Sequence, residues 1–190
     1  MTVSHLKRHI QDGVAEAMNC LGKLYSQHKL ARDFDLVRSA KRAVRLWEKA
    51  MELGNVGAMY HLAVAYEDGD GVKLNKKKAM HFYRMAADRG CALSQTCLAE
   101  MLCESGNIKE AFRYIQLSAE QGFTVGELSL GECYWKGNSV KIDIDEARHW
   151  FMRAAGKGNE RAKEHLAQIF RFLEESSDGD SDASWATVDE

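Results

Sequence analysis

Seven histidines and five cysteines are the residues of this chain of 190 best suited to chemistry. A zinc-binding helix pairs two histidines at i, i+4 with a neighbouring carboxylate, and no pair here combines the two. His61 and His165 fall at equivalent positions of a repeat, as do His81 and His149; a recurring column points to packing, since a catalytic group is wanted once. Cys20, Cys91, Cys97, Cys103 and Cys133 are odd in number and hold no C-x-x-C pair, which argues against a disulfide framework or a zinc knuckle and for reduced, mostly packed thiols. Nucleophilic catalysis needs a base and an orienting group around the nucleophile, and no unmatched Cys/His/Asp set is found. Gly69-Asp70-Gly71 lacks the gap and the Gly-Lys-Ser/Thr ending of a phosphate loop, so it reads as a turn. Asp178, Asp180, Asp182, Ser184 and Asp189 fall at calcium-loop positions, but Ala183 replaces the required glycine, so the segment reads as a solvated acidic tail. Ser177 in that acidic context suits an acidophilic kinase. The expectation is no enzyme, no metal and no cofactor.

The elements that carry these residues repeat. Ala58, Leu62, Ala63 and Tyr66 return as Ser94, Leu98, Ala99 and Leu102, then as Gly126, Leu130, Gly131 and Tyr134, then as Ala162, Leu166, Ala167 and Phe170. A second set runs Ala43, Trp47, Ala50, Gly54; Ala79, Tyr83, Ala86, Gly90; Ala111, Ile115, Ser118, Gly122; and Ala147, Phe151, Ala154, Gly158. The closing glycines are 36, 32 and 36 residues apart. Periods of that size belong to solenoids in which each unit is one helix pair that buries its apolar face against its neighbours.

Within the unit that starts at Gly54, the i, i+4, i+8 stripe Ala58, Leu62, Tyr66 predicts a buried face of helix A, and small Ala63 lets helix B approach. Two glycines break the chain before Val72, which tucks back as a plug, and Asn75 is an N-cap for helix B. The chain has no proline, where average usage of about 5% would supply roughly nine. No stretch approaches the ~20 apolar residues of a membrane span, and the N-terminus lacks the apolar run of a signal peptide; a cytoplasmic location is the default. Residues 174–190 hold seven acids and no base, leaving 26 bases against 21 acids before them. That tail reads as disordered, with Trp185 its only large apolar residue. The mildly basic body is too dilute in charge for a nucleic-acid surface.

Helix A as Ala-x-x-x-Leu-Ala-x-x-Tyr, the turn Gly69-Asp70-Gly71-Val72, and helix B as Lys78-Ala79-x-x-Phe82-Tyr83-x-x-Ala86-Ala87-x-x-Gly90 resemble the Sel-one-like repeat, a cousin of the tetratricopeptide repeat. The unit from Gly122 matches through Leu130-Gly131, Tyr134, Gly137, Val140, Asp145, Ala147, Trp150-Phe151, Ala154-Ala155 and Gly158. The Gly90 unit departs at Glu104-Ser105-Gly106-Asn107, four residues shorter and without the Gly-Val plug; the first unit is five residues longer over Gln27 to Ser39, where Arg32-Asp33-Phe34-Asp35 could add a helical turn. A cysteine-rich secreted subgroup described as binding or hydrolysing β-lactams is a poor match, because the units at Gly54 and Gly158 contain no cysteine.

The resemblance implies an all-α, right-handed α-α superhelix of about four and a half helix-turn-helix repeats. It divides the chain into a repeat domain over residues 1–173 (units near 13–53, 54–89, 90–121 and 122–157, capping helix 158–173) and an acidic tail over 174–190. It also implies a non-enzymatic adaptor, as in signalling, protein quality control and host-microbe contact, that binds a protein or peptide in the concave groove of the A helices. By tetratricopeptide analogy the groove columns supply Tyr60, Val64, Glu67, Glu100, Leu128, Glu132 and Trp135 as partner-binding residues. Tyr60, Val64, Leu128 and Trp135 are apolar anchors there, and the glutamates favour a partner with Lys or Arg. Adjacent repeats could instead cover Tyr60 and Trp135. A catalytic or metal-binding member, and a subunit of a stable complex, are the alternative readings.

Overall fold

Proline-free sequence broken at regular glycines should give short helices, and it does. The structure, a computed structural model, describes residues 3–27 and 39–178. Among them are ten α-helices and no strand: α1 (Val3–Gln11), α2 (Ala15–Ser26), α3 (Ala40–Glu52), α4 (Val56–Asp68), α5 (Lys76–Ala87), α6 (Ala92–Glu104), α7 (Ile108–Glu120), α8 (Thr124–Lys136), α9 (Ile144–Gly156) and α10 (Glu160–Asp178). Even-numbered helices from α2 onward are A helices, and odd-numbered ones from α3 are B helices.

The helix ends follow the residues at them. Gly54, Gly90, Gly122 and Gly158 all take φ between +77° and +86°, where a side chain would be strained. Each lets the next residue reach back to the same kind of carbonyl: Asn55 N–H to Ala50 at 2.9 Å, Cys91 to Ala86 at 3.1 Å, Phe123 to Ser118 at 3.1 Å and Asn159 to Ala154 at 3.2 Å. That is the six-to-one bond that closes a helix C-terminus. Asn75 and Asp143 cap α5 and α9 by accepting the N–H of Lys78 and of Glu146, each at 3.0 Å.

Both repeating columns lie in the interior. Leu62, Leu98 and Leu130 are at most 1% exposed, as are Ala43, Ala79, Ala111 and Ala147 at the start of the B-helix stripe. Burying one such leucine is worth roughly 1.5–3 kcal/mol. Close approach needs the small residue beside it: a Cβ on Gly22 of α2 would stand 2.4 Å from Trp47 Nε1 of α3, and one on Gly131 of α8 would stand 2.7 Å from the Phe151 ring of α9. Val72 packs half-buried on the core, as a plug should.

Three observations depart from the expected organisation. Packing divides the chain into two compact units, Met1–Ser105 and Gly106–Glu190, where one domain over 1–173 is expected; the division falls on the short turn that lacks the Gly-Val plug. Helix α1 precedes the first repeat and seats Leu6 in the first unit's core. The capping helix reaches Asp178, beyond the expected end at 173, because nothing in Glu174-Glu175-Ser176-Ser177 breaks a helix. Arg32-Asp33-Phe34-Asp35 and residues 179–190, with Trp185 and most of the calcium-like series, lie outside the described residues.

Candidate protein-interaction surface

In the first unit α4 carries three of the expected binding residues. Tyr60 and Val64, four apart, line one side of a cleft of about 320 Å³, with Ser26 of α2, Trp47 of α3 and His61 and Asp68 of α4 around it. Its floor is aromatic. The His61 ring stacks on Trp47 at 5.0 Å, and Tyr60 meets the His61 edge at 5.2 Å and Tyr83 at 6.0 Å. Burial, with Lys23 adding its charge, pulls the His61 pKa from 6.5 down to about 4, so the ring is neutral at physiological pH. Burial also raises the Tyr60 pKa. The cleft is thus an uncharged aromatic floor with the exposed carboxylate of Asp68 at its rim.

The expected glutamates separate into two kinds. Glu67 accepts the Tyr83 hydroxyl at 2.6 Å, and burial together with that bond keeps the hydroxyl protonated. Glu100 on α6 is exposed. In the second unit Glu132 of α8 meets Arg161 at 2.9 Å, Lys136 at 3.3 Å and His165 at 3.4 Å, so it ties α8 to α10 before any partner arrives. Such surface pairs contribute up to about 1 kcal/mol each.

One expected anchor is corrected outright. Leu128 is only 5% exposed and sits in the second unit's core with Phe151 and Ile169; its column also buries Asn19 and Thr96 in the first unit, because residues two before the Leu-Ala pair pack against neighbouring helices. Trp135 is half-buried on that core and meets the Phe172 ring edge-on at 6.2 Å. Spacing alone could not reveal Glu127, which is fully buried. Lys157 Nζ donates to its Oε2 at 2.8 Å and also to the Gly122 carbonyl. Arg153 Nη2 lies 2.9 Å from Oε1, an ion-pair contact outside hydrogen-bond angles. The trio clamps the ends of α7 and α9 onto α8, a structural task. His61 and His165 share a packing role, for His165 stacks on Phe151 at 4.7 Å as His61 does on Trp47, whereas His81 and His149, the other recurring pair, are exposed. Among the described residues no three His, Cys, Asp or Glu side chains could hold a metal ion, and no helix is long and apolar enough to cross a membrane.

The profile of the Sel1 repeat matches residues 15–55, 56–91, 100–123 and 125–159, most of the chain. The chain belongs to the Sel1 repeat family. Solved structures agree on the fold. A protective antigen of uropathogenic Escherichia coli displaying an SLR fold superimposes with a TM-score of 0.83 at 28% identity, over 90% of this chain and 36% of that one. A Sel1 repeat protein from Oxalobacter formigenes gives 0.78 at 28% identity, over 88% and 68%. The architecture is therefore the all-α helical repeat.

Among curated relatives, mouse DAP3-binding cell death enhancer 1 is 31% identical over 97 residues, half of this chain and 19% of its own length. The chitin synthase regulator SKT5 of Malassezia restricta is 27% identical over 175 residues, 86% of this chain and 12% of its own length. The chain thus spans less than a fifth of either relative. Sel1 repeat proteins generally mediate protein–protein interaction. Within this Sel1 chain the third match is the shortest, at the unit whose turn is four residues short.

Proposed function

We propose that this Sel1 repeat chain is a non-enzymatic adaptor that binds a segment of a partner protein on its A-helix faces, with the α4 cleft as the principal contact of the first unit. One observation carries the reading: Tyr60, Val64 and the neutral His61–Trp47 stack form an apolar recess whose rim holds Asp68. Such a recess accepts the aliphatic stem of Lys or Arg and pairs its head with the carboxylate, and Glu100 on α6 adds to the acidic character of this unit. The regulators and binding proteins among the relatives support an adaptor. The expected concave groove, with Glu67, Glu132 and Trp135 as contributors beside Tyr60 and Val64, is part of this proposal, and so are the repeat units near 13–53, 54–89, 90–121 and 122–157. Five cysteines with no disulfide among them support a reducing, cytoplasmic setting. Nucleic acid and membrane are not the partners proposed.

The test is affinity capture from native lysate with the wild type and with Tyr60→Ala/Val64→Ala, after both are shown to melt alike, followed by peptide arrays from the captured proteins. Partners lost with the double substitution, through segments that need a Lys or Arg, support the cleft. Partners retained by the double variant place binding elsewhere and overturn it.

A further inference from the structure

The turn between α4 and α5 gathers like charge. Lys73, Lys76, Lys77 and Lys78 are all exposed. Exposed Lys41 of α3 joins them, because Gly71 of the turn lies against the Ala40–Lys41 backbone, where a Cβ would stand 2.6 Å from the Ala40 carbonyl carbon. Of these lysines only Lys76 has a carboxylate partner among the described residues, Glu104 of α6 at 3.5 Å, and both side chains are largely exposed. The repeat does not ask for this charge. In the unit from Gly122 the equivalent positions follow Tyr134 and exposed Ile142, as these follow Tyr66 and exposed Leu74, yet they read Ile144, Asp145 and Glu146. The first turn of a helix favours negative charge, so α9 obeys the local rule and α5 breaks it with Lys76, Lys77 and Lys78. Residues that break a local rule at a cost to stability point to a function.

Beside the lysines lies an open groove of about 410 Å³, walled by Tyr66, Val72 and Leu74 and flanked by Lys73 and Lys78. Leu74 is 57% exposed, and Lys78 Nζ stands 5.0 Å from the centre of the Tyr66 ring. We propose that this groove docks an acidic segment of a partner protein, with one aromatic or aliphatic side chain seated between Tyr66 and Leu74 and Asp or Glu on either side paired with the lysines. Charge complementarity selects the acidic occupant. The walled recess selects a side chain over the headgroup layer of a membrane. The groove shares no lining residue with the α4 cleft and takes the opposite charge, so the chain can hold an acidic and a basic segment at once.

The probe is a fluorescein-labelled peptide, Glu-Glu-Asp-Glu-Phe-Glu-Asp-Glu-Glu, titrated against the full chain by anisotropy. Saturable binding is expected, weakened at least about tenfold, or 1.4 kcal/mol, by Lys73→Glu/Lys77→Glu, by Leu74→Ser, and by serine in place of the peptide's phenylalanine. The control is Lys109→Glu/Lys141→Glu, which changes net charge equally at two exposed lysines elsewhere and should leave binding within about twofold. All these positions are exposed, so melting at least as high as the wild type is expected and separates loss of the groove from loss of the fold. Absence of binding overturns the proposal. Equal weakening by the control variant overturns it, since only diffuse charge is then read, and so does indifference to the serine peptide or to Leu74→Ser. Phosphatidylserine vesicles that bind the chain through Lys73 and Lys77 while the peptide does not assign the patch to a lipid surface. Self-association abolished by Lys73→Glu/Lys77→Glu assigns it to a second copy, and peptide binding that appears only in an Asp180→Asn/Asp182→Asn chain assigns it to this chain's own acidic residues; each of these overturns a groove for a partner protein.

Discussion

Helices α4 and α8 hold the same place in two repeats and share the leucine, the small residue and the aromatic that follow one another along the buried stripe, yet their other faces differ. On α4, Tyr60 and Val64 stay half-open around a neutral aromatic floor; on α8, the residue in the Tyr60 column is Leu128 in the core, and Glu132 is engaged by Arg161, Lys136 and His165. The turns behind these helices diverge too. Asn75 opens α5 with Lys76, Lys77 and Lys78, whereas Asp143 opens α9 with Ile144, Asp145 and Glu146. A repeat dictates what its interior columns must be and leaves its remaining columns to local neighbours, so equivalent positions need not share a task.

The shared interior is the place to break the comparison hardest. Leu62→Ala and Leu130→Ala should each cost about 2–5 kcal/mol in thermal or denaturant unfolding, and a loss confined to one of them would show that the two columns are not equivalent. Leu128→Ala should cost about 2 kcal/mol or more, whereas Tyr60→Ala should affect partner binding well before stability; equal melting shifts would erase the distinction between α4 and α8. Gly22→Ala and Gly131→Ala should each cost about 1–3 kcal/mol by overpacking against Trp47 and Phe151, and neutral substitutions would mean that the helix pairs can separate freely.

Two smaller effects sharpen the contrast. Folded His61 is neutral down to about pH 4, while the unfolded ring takes a proton below about 6.5, so the unfolded state binds more protons between those values. Stability contributed by the neutral ring is full above pH 6.5 and falls as the pH drops toward 4, and His61→Gln should flatten that part of the melting profile; an unchanged slope would mean that the ring is not held neutral. At the helix starts, Lys77→Glu should raise stability and Asp145→Lys lower it, each by about 0.3–1 kcal/mol, because the N-terminal end of a helix favours negative charge. Shifts of the opposite sign would show that the lysines at α5 are held by contacts stronger than the helix dipole.

Much of the fold was legible because repeats state their interior several times. Leu62, Leu98 and Leu130, the Trp47–Tyr83–Ile115–Phe151 column and the four closing glycines were read from spacing, and the structure puts them where that reading required. Recurrence read as packing holds for His61 and His165, which stack on aromatic residues of the preceding B helix, and not for His81 and His149, which are exposed. The candidate surface was less legible. Column spacing points to Tyr60 and Val64 as a pair, but the cleft they line also needs Trp47, His61 and Ser26 from three helices. Leu128 stands in a column whose spacing matches a groove, yet packing puts it in the second unit's core. Glu67 and Glu132 looked available because their partners, Tyr83 and Arg161, are 16 and 29 residues away. Helix α1 carries no repeat column at all, and so left no periodic mark.

The sequence by itself determined what is local and periodic: helices bounded by glycine turns and Asn or Asp caps, and the small-beside-large columns that make helix pairs stack. Tertiary structure alone decided which members of a column stay open: Tyr60 against Leu128, Glu100 against Glu132. The physical reason is that backbone geometry answers to residues within a turn or two, whereas exposure and charge pairing are set by side chains that packing brings in from helices tens of residues distant.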